Sequence, residues 1–64
     1  MGVTLRQKQI IRLAATGATH KEMAKLLNVA PETIRNHISA LFPRLQAKNM
    51  PHAVAICFRK GIIR

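Results

Sequence analysis

Two short amphipathic segments flank Asn28-Val29-Ala30 in the stretch HKEMAKLLNVAPETIRNH, which covers residues 20–37. Apolar residues recur at helical spacing on both sides of these three residues. Two short helices joined by a turn of three or four residues form a helix-turn-helix unit, whose second helix can lie in the major groove of DNA. The stretch therefore predicts such a unit.

The size of the chain limits what can be built around this unit. A chain of 64 residues lies near the length at which folding buries only about 60% of the surface of the unfolded chain. Phe42 and Phe58 are the only aromatic residues, so the core must consist mainly of aliphatic side chains. These features predict one all-α domain spanning residues 1–64, with no separate catalytic cleft.

Capping signals mark the first two helices. Thr4 with Gln7, and Thr19 with Glu22, have the spacing of capping boxes, in which each side chain bonds the backbone of the other residue. Gly17 can end the first helix in a left-handed conformation. These helices are predicted at about 5–16 and 20–27.

Prolines and apolar spacing mark the other two helices. Pro31 suits the first position of a helix, whereas Pro43 predicts that the same helix stops or kinks near residue 41 or 42. Pro51 suits the first turn of a fourth helix that starts near residue 49 or 50 and ends at Gly61, followed by an apolar tail. The core face of the third helix is predicted to comprise Ile34, Ile38, Leu41 and Leu45. These helices are predicted at about 31–42 and 51–60.

The charge balance indicates a nucleic-acid partner. Eleven Lys and Arg oppose two acids, which gives a net charge of +9 and a pI near 11.7. Paired carboxylates, an activated nucleophile and a phosphate-binding Gly-rich loop are all missing from the sequence, so we do not expect an enzyme.

The cysteine and histidines argue against disulfides and metal sites. Cys57 is the only cysteine, which indicates a reduced, cytoplasmic protein. His20, His37 and His52 are too scattered to form a zinc site, so no metal or other cofactor is expected. The sequence also has no apolar run of membrane-spanning length and no signal peptide, and we expect no membrane partner.

The outward side of the third helix carries residues suited to reading bases. Arg35 can donate two hydrogen bonds to guanine, Asn36 can pair with adenine, and Ser39 can bond a base directly or through water. Each of these residue types is also common on an ordinary solvated helix. Their occurrence on one face of a basic domain favours the base-reading interpretation.

An ordered series of short motifs runs through residues 3–56. Its members are Thr4 and Arg6, Leu13-Ala14-Ala15-Thr16-Gly17, His20-Lys21-Glu22-Met23-Ala24, Leu27-Asn28-Val29, Thr33-Ile34-Arg35-Asn36-His37, Leu45 and Ala53-Val54. In this order and spacing the series resembles the LuxR/GerE (LuxR/FixJ-type) helix-turn-helix domain of bacterial transcription regulators. Sigma-factor region 4 has a related unit, but His37 and Ala53-Val54 favour the LuxR/GerE type.

Five positions depart from the pattern of that family. Gln7 stands where the family usually has Glu, and Ala30 stands where a Ser or Thr N-cap is common. Gln46 replaces a frequent Gly, and Met50 replaces a frequent Arg. Pro43 is the least expected departure, because the third helix normally continues there.

The resemblance implies four helices, of which the third reads the major groove and the fourth makes a two-fold dimer contact. It matches Arg35, Asn36 and Ser39 to base-facing positions. It matches Lys21, Thr33 and His37 to positions that usually touch the phosphate backbone. On the fourth helix the dimer residues would be Ala53, Val54, Cys57 and Phe58, although the same side chains suit packing within the domain.

These features predict a dimeric, sequence-specific DNA-binding transcription regulator that acts by occupancy or by contact with RNA polymerase. The alternative is a small interaction module that pairs with a full-length LuxR-type regulator and modulates its DNA binding. The chain contains neither a receiver nor a ligand-binding domain, so a free-standing regulator and part of a larger one both fit.

Overall fold

The structure is a computed structural model that describes residues 3–63. It contains four helices and, within those residues, no strand, which confirms the predicted all-α fold. The predicted domain, 1–64, includes residues 1, 2 and 64, which lie outside the described residues. The helices are α1 (Leu5–Ala15), α2 (His20–Leu27), α3 (Pro31–Leu45) and α4 (Met50–Arg59).

Side-chain caps fix the starts of α1 and α2, as predicted. The Thr4 hydroxyl accepts a hydrogen bond from the Gln7 backbone N–H at 3.1 Å, and Gln7 Oε1 accepts one from the Thr4 N–H at 3.0 Å. Thr19 and Glu22 make the same reciprocal pair at 3.1 and 2.8 Å. Gln7 is buried, so a neutral amide serves this position without the cost of burying a carboxylate.

The ends of α1 and α4 use glycine in the left-handed region. Gly17 has a φ of 92°, and the next amide, of Ala18, donates to the Leu13 carbonyl at 3.1 Å. Gly61 has a φ of 73°, and the Ile62 amide donates to the Cys57 carbonyl. This turn directs the chain back, so that Ile63 of the apolar tail is buried in the same cluster as Ile56 and Cys57.

The predicted stop of the third helix near residue 41 or 42 was wrong. Helix α3 continues through Pro43 to Leu45. Proline removes one backbone bond, to the carbonyl of Ser39, but both residues lie on the exposed side, where water can satisfy that carbonyl. On the opposite side Leu41 and Leu45 are buried, and this packing holds the last turn in helical form.

The core consists of two clusters, both of which include residues of α1 and α3. Ile10 belongs to one cluster and the adjacent Ile11 to the other. Phe42 and Met50 pack against both clusters and join them. The cluster under α2 contains Ile10, Met23, Ala24, Ile34 and Ile38. The cluster under α4 contains Ile11, Leu41, Leu45, Ala53, Ile56, Cys57 and Ile63.

Gln46, the residue after α3, adopts a left-handed conformation with a φ of 55°. An L-residue in this region pays about 1–2 kcal/mol, most of which glycine avoids. After the larger entropy of glycine in the unfolded chain is subtracted, Gln46→Gly should raise the free energy of unfolding by about 0.5–1 kcal/mol. Denaturant titration would measure the change.

Asn28→Gly is the matched control, with a φ of 57° at the replaced residue. Because Asn tolerates this region better than Gln, a gain at residue 28 as large as at residue 46 would contradict the explanation.

Candidate nucleic-acid interface

The turn between α2 and α3 is fixed by backbone bonds and by packing. Asn28 takes the left-handed conformation that ends α2, and the Val29 amide donates to the Ala24 carbonyl at 3.0 Å. Val29 then packs against the cluster under α2. Pro31 begins α3 directly afterwards, with Ala30 as an N-cap that makes no side-chain hydrogen bond. The two helices therefore have a short, well-defined connection, as the sequence predicted.

Packing against α2 determines which side of α3 faces outward. Ile34 and Ile38 are buried, so the opposite side is open to solvent. The structure places Arg35, Asn36 and Ser39 on this exposed side. Ser39 lies four residues after Arg35 and three after Asn36, so the three side chains form one contiguous surface on the N-terminal half of the helix. We call these three residues the reading face.

The three residues predicted to contact phosphate lie outside the reading face. Lys21 is exposed in the first turn of α2. Thr33 and His37 are half-buried and lie one helical turn apart on a flank of α3. The structure thus distributes them over two helices, in contrast to the single-helix reading face.

Lys25 was not singled out from the sequence. It is exposed one helical turn after Lys21, so both cations lie on the same flank of α2. The signal was available as the i, i+4 spacing of two lysines. It was missed because a surface lysine by itself carries little information.

The two acids do little to neutralise this basic surface. Glu22 is engaged in the cap of α2, where Oε1 accepts the Thr19 N–H. Glu32 is exposed in the first turn of α3, where a carboxylate interacts favourably with the positive end of the helix dipole. Glu32 also lies three residues before Arg35, on the exposed side of the helix. With a net charge of +9, the domain as a whole attracts polyanions.

The four residues predicted for a dimer contact divide into two pairs. Ala53 and Cys57 are fully buried in the cluster under α4, as the alternative of packing within the domain required. Burial also raises the pKa of the Cys57 thiol, which keeps it protonated and unreactive. Val54 is half-buried, whereas Phe58 is 49% exposed. Of these four residues, only Val54 and Phe58 are therefore accessible to solvent on α4.

Within residues 3–63, no group of three or more His, Cys, Asp or Glu side chains is arranged to hold a metal ion. Over the same residues, no helix combines the length and the apolar character needed to cross a membrane.

Comparison with known proteins identifies the domain. The family model for bacterial regulatory proteins of the luxR family matches residues 1–57. The uncharacterized transcriptional regulatory protein YvfU of Bacillus subtilis is 41% identical over 95% of this chain, and the transcriptional regulatory protein DesR of the same organism is 36% identical over 92%. The chain spans only 30% of the length of each of these two relatives.

A shorter relative matches over most of its own length. The spore germination protein GerE of Bacillus subtilis is 34% identical over 92% of this chain, and the match covers 80% of GerE. The family match, the similarity to GerE and the four-helix fold agree with the resemblance drawn from the sequence. The chain therefore belongs to the LuxR/GerE family of bacterial regulatory proteins and forms the helix-turn-helix domain of that family.

Proposed function

We propose that this domain is a sequence-specific DNA-binding transcription regulator that places α3 in the major groove. The reading face is the observation that carries the proposal. Its three polar side chains are exposed on one side of a helix whose opposite side is locked into the core. A helix held in this way presents its side chains in a fixed orientation, which base recognition requires.

The chemistry of the reading face fits the edges of bases. The Arg35 guanidinium matches the two acceptors of guanine, and the Asn36 amide matches the donor and acceptor of adenine. Ser39 is short and bonds a base edge directly or through water. Lys21, Thr33 and His37 hold the phosphate backbone, and Lys25 adds a second cation on the flank of α2. In this proposal the phosphate contacts set the position, and the reading face sets the sequence preference.

We further propose that two copies bind two half-sites about ten base pairs apart, with α4 as the two-fold contact. The exposed Phe58 and half-buried Val54 supply an apolar surface for this contact. The regulator would work in the bacterial cytoplasm, by occupying its site or by contact with RNA polymerase.

The two kinds of DNA contact predict different responses to mutation. Arg35→Ala should weaken binding by about 1–3 kcal/mol and relax the preference at one base pair, because a bidentate contact is lost. Lys21→Ala should weaken binding to all sequences alike and lower the slope of log affinity against log salt by about one. Titrations of specific and nonspecific duplexes at several salt concentrations would measure both effects. If the two variants behaved alike, the division between base and phosphate contacts would be wrong.

Selection from a randomised duplex pool at two salt concentrations tests the function itself. Enrichment of a two-fold symmetric motif would support both base reading and dimer formation. An unsymmetric motif would support base reading by a single copy. Binding that enriches no motif and disappears as the salt concentration rises would contradict the proposal. It would mean that the domain binds DNA only through nonspecific attraction to the phosphates.

A second candidate function is pairing with a full-length LuxR-type regulator to modulate its DNA binding. The exposure of Phe58 on α4 favours it, since an apolar aromatic side chain open to solvent suits a protein contact. Mixing this domain with a full-length relative and measuring mixed dimers, with Phe58→Ser as the control, would test this candidate. If the pool selection enriched no sequence motif, this second function would be favoured over base recognition.

A further inference from the structure

An apolar groove of about 290 Å³ lies between α1 and α2, away from the reading face. No residue of α3 lines it, so it can stay open while α3 occupies DNA. The lining residues are Gln9, Arg12, Leu13, Leu26 and Leu27.

Two large exposed leucines border this groove. Leu26 is 67% exposed on α2 and contributes to the lining. Leu5 is 74% exposed on α1 and lies one helical turn before the lining residue Gln9, on the same side of the helix. Isolated exposed leucines are common in small proteins, but Leu26 lines a groove together with Leu13 and Leu27, which gives an apolar surface suited to binding another protein.

The groove lies on the flank of α2 opposite Lys21 and Lys25. Successive residues of a helix are separated by about 100°, so Leu26 projects on one side of α2 and the two lysines project on the other. Lys21 and Lys25 therefore cover the flank that we assign to the phosphate backbone. A molecule in the groove would contact the domain without competing for that flank.

The charges around the groove select an acidic partner. Arg12 lines it, and Lys8 lies one helical turn earlier on α1. Glu22 lines the adjoining depression beside Leu26. Acidic side chains of a partner are thus attracted to the Arg12 side and repelled at the Glu22 end, which also sets the direction in which a partner can lie.

We propose that the groove binds a short amphipathic helix of another protein, with apolar residues at i, i+4 and i+7 and acidic residues beside them. The leucine-lined groove takes the apolar stripe, and Arg12 with Lys8 takes the acids. This site goes beyond DNA recognition and does not rest on it. The domain would then join DNA on one side to an acidic protein segment on the other.

A synthetic helical peptide with leucines at i, i+4 and i+7 and neighbouring glutamates is the probe. It is titrated into the ¹⁵N-labelled domain while amide chemical shifts are recorded. We expect the shifts to cluster at Gln9, Leu13 and Leu26. Leu26→Ser should weaken peptide binding by about tenfold, the loss expected for one leucine contact. Phe58→Ser, which changes an exposed apolar residue elsewhere, should leave the affinity unchanged.

Three further measurements make the test decisive. Leu26→Ala keeps helix propensity and repeats the test should Leu26→Ser lose its fold. Affinity for duplex DNA should be the same for both Leu26 variants and the parent domain, which separates this proposal from the DNA-binding one. A scrambled peptide of equal charge should bind weakly.

Four outcomes would overturn the proposal. The first is equal binding of the scrambled peptide, and the second is amide shifts confined to α3. The third is an equal loss of binding on Phe58→Ser. The fourth is self-association of the free domain that Leu26→Ser abolishes, because the groove would then hold a second copy of the chain.

Discussion

Leu41→Ala should lower the free energy of unfolding by about 2–5 kcal/mol, because the truncation leaves a cavity in the cluster under α4. Leu41 is 0% exposed and anchors the C-terminal half of α3 beside Ala53 and Cys57. A 64-residue domain has a total free energy of unfolding of only about 3–10 kcal/mol. If the value for this domain lies near the lower end of that range, the variant should be largely unfolded. Urea titration followed by circular dichroism at 222 nm would measure this loss.

The matched control is the same substitution at Leu26. Leu26 is 67% exposed, so Leu26→Ala should change the free energy of unfolding by no more than about 0.5 kcal/mol. Comparable losses at the two sites would mean that α3 is not held by the cluster under α4. The difference between the two variants therefore measures how firmly that cluster holds the end of α3.

Pro43→Ala should raise the free energy of unfolding by about 1–3 kcal/mol. Alanine restores the backbone N–H that can bond the Ser39 carbonyl, and it removes the clash of the proline ring with that carbonyl. The gain is smaller than the full cost of a proline at the centre of a helix, because Pro43 lies in the last turn of α3 and also restricts the unfolded chain. Thermal unfolding of the variant and the parent domain would show the difference as a higher Tm.

Pro31→Ala is the control for this prediction. Pro31 occupies the first position of α3, where a backbone N–H would have no partner within the helix. Its replacement should therefore be neutral or destabilising by less than about 1 kcal/mol. If Pro31→Ala stabilised the domain as much as Pro43→Ala, the explanation would be contradicted. The gain could then not come from restoring the backbone bond to the Ser39 carbonyl, because no such bond is missing at residue 31.

Local signals in the sequence were sufficient to place the start of each helix. The reciprocal caps at Thr4 and Thr19 and the prolines at positions 31 and 51 act within one helical turn, and the structure contains each of them. The apolar face of α3 was also predictable, because the spacing of Ile34 and Ile38 determines a face whatever packs on it.

Features that depend on tertiary packing were not predictable in this way. The sequence cue at Pro43 indicated a helix end, but burial of Leu41 and Leu45 on the opposite side outweighs that local cost. The sequence could not separate the buried Cys57 from the exposed Phe58 on α4, since adjacent apolar residues look alike until their neighbours are known. The groove between α1 and α2 likewise needs both helices in place before it exists.

The same division applies to the candidate site. The reading face could be predicted because it is the complement of an apolar stripe on one helix. The half-burial of Thr33 and His37 depends on how α3 lies against the rest of the domain. Sequence spacing within one helix carries no information about that arrangement.

The uninterrupted course of α3 through Pro43 has a consequence for the length of DNA that a pair of these domains can span. The reading face and the contact with α4 lie on one continuous helix, Pro31–Leu45, about 21 Å long by helix rise. In the proposed dimer, the distance between the two reading faces is then set by the two α3 helices and by the contact between the two copies of α4. Adding one base pair between the half-sites would move one half-site along the DNA axis and rotate it about that axis relative to the other. The DNA would then have to deform for both reading faces to bind.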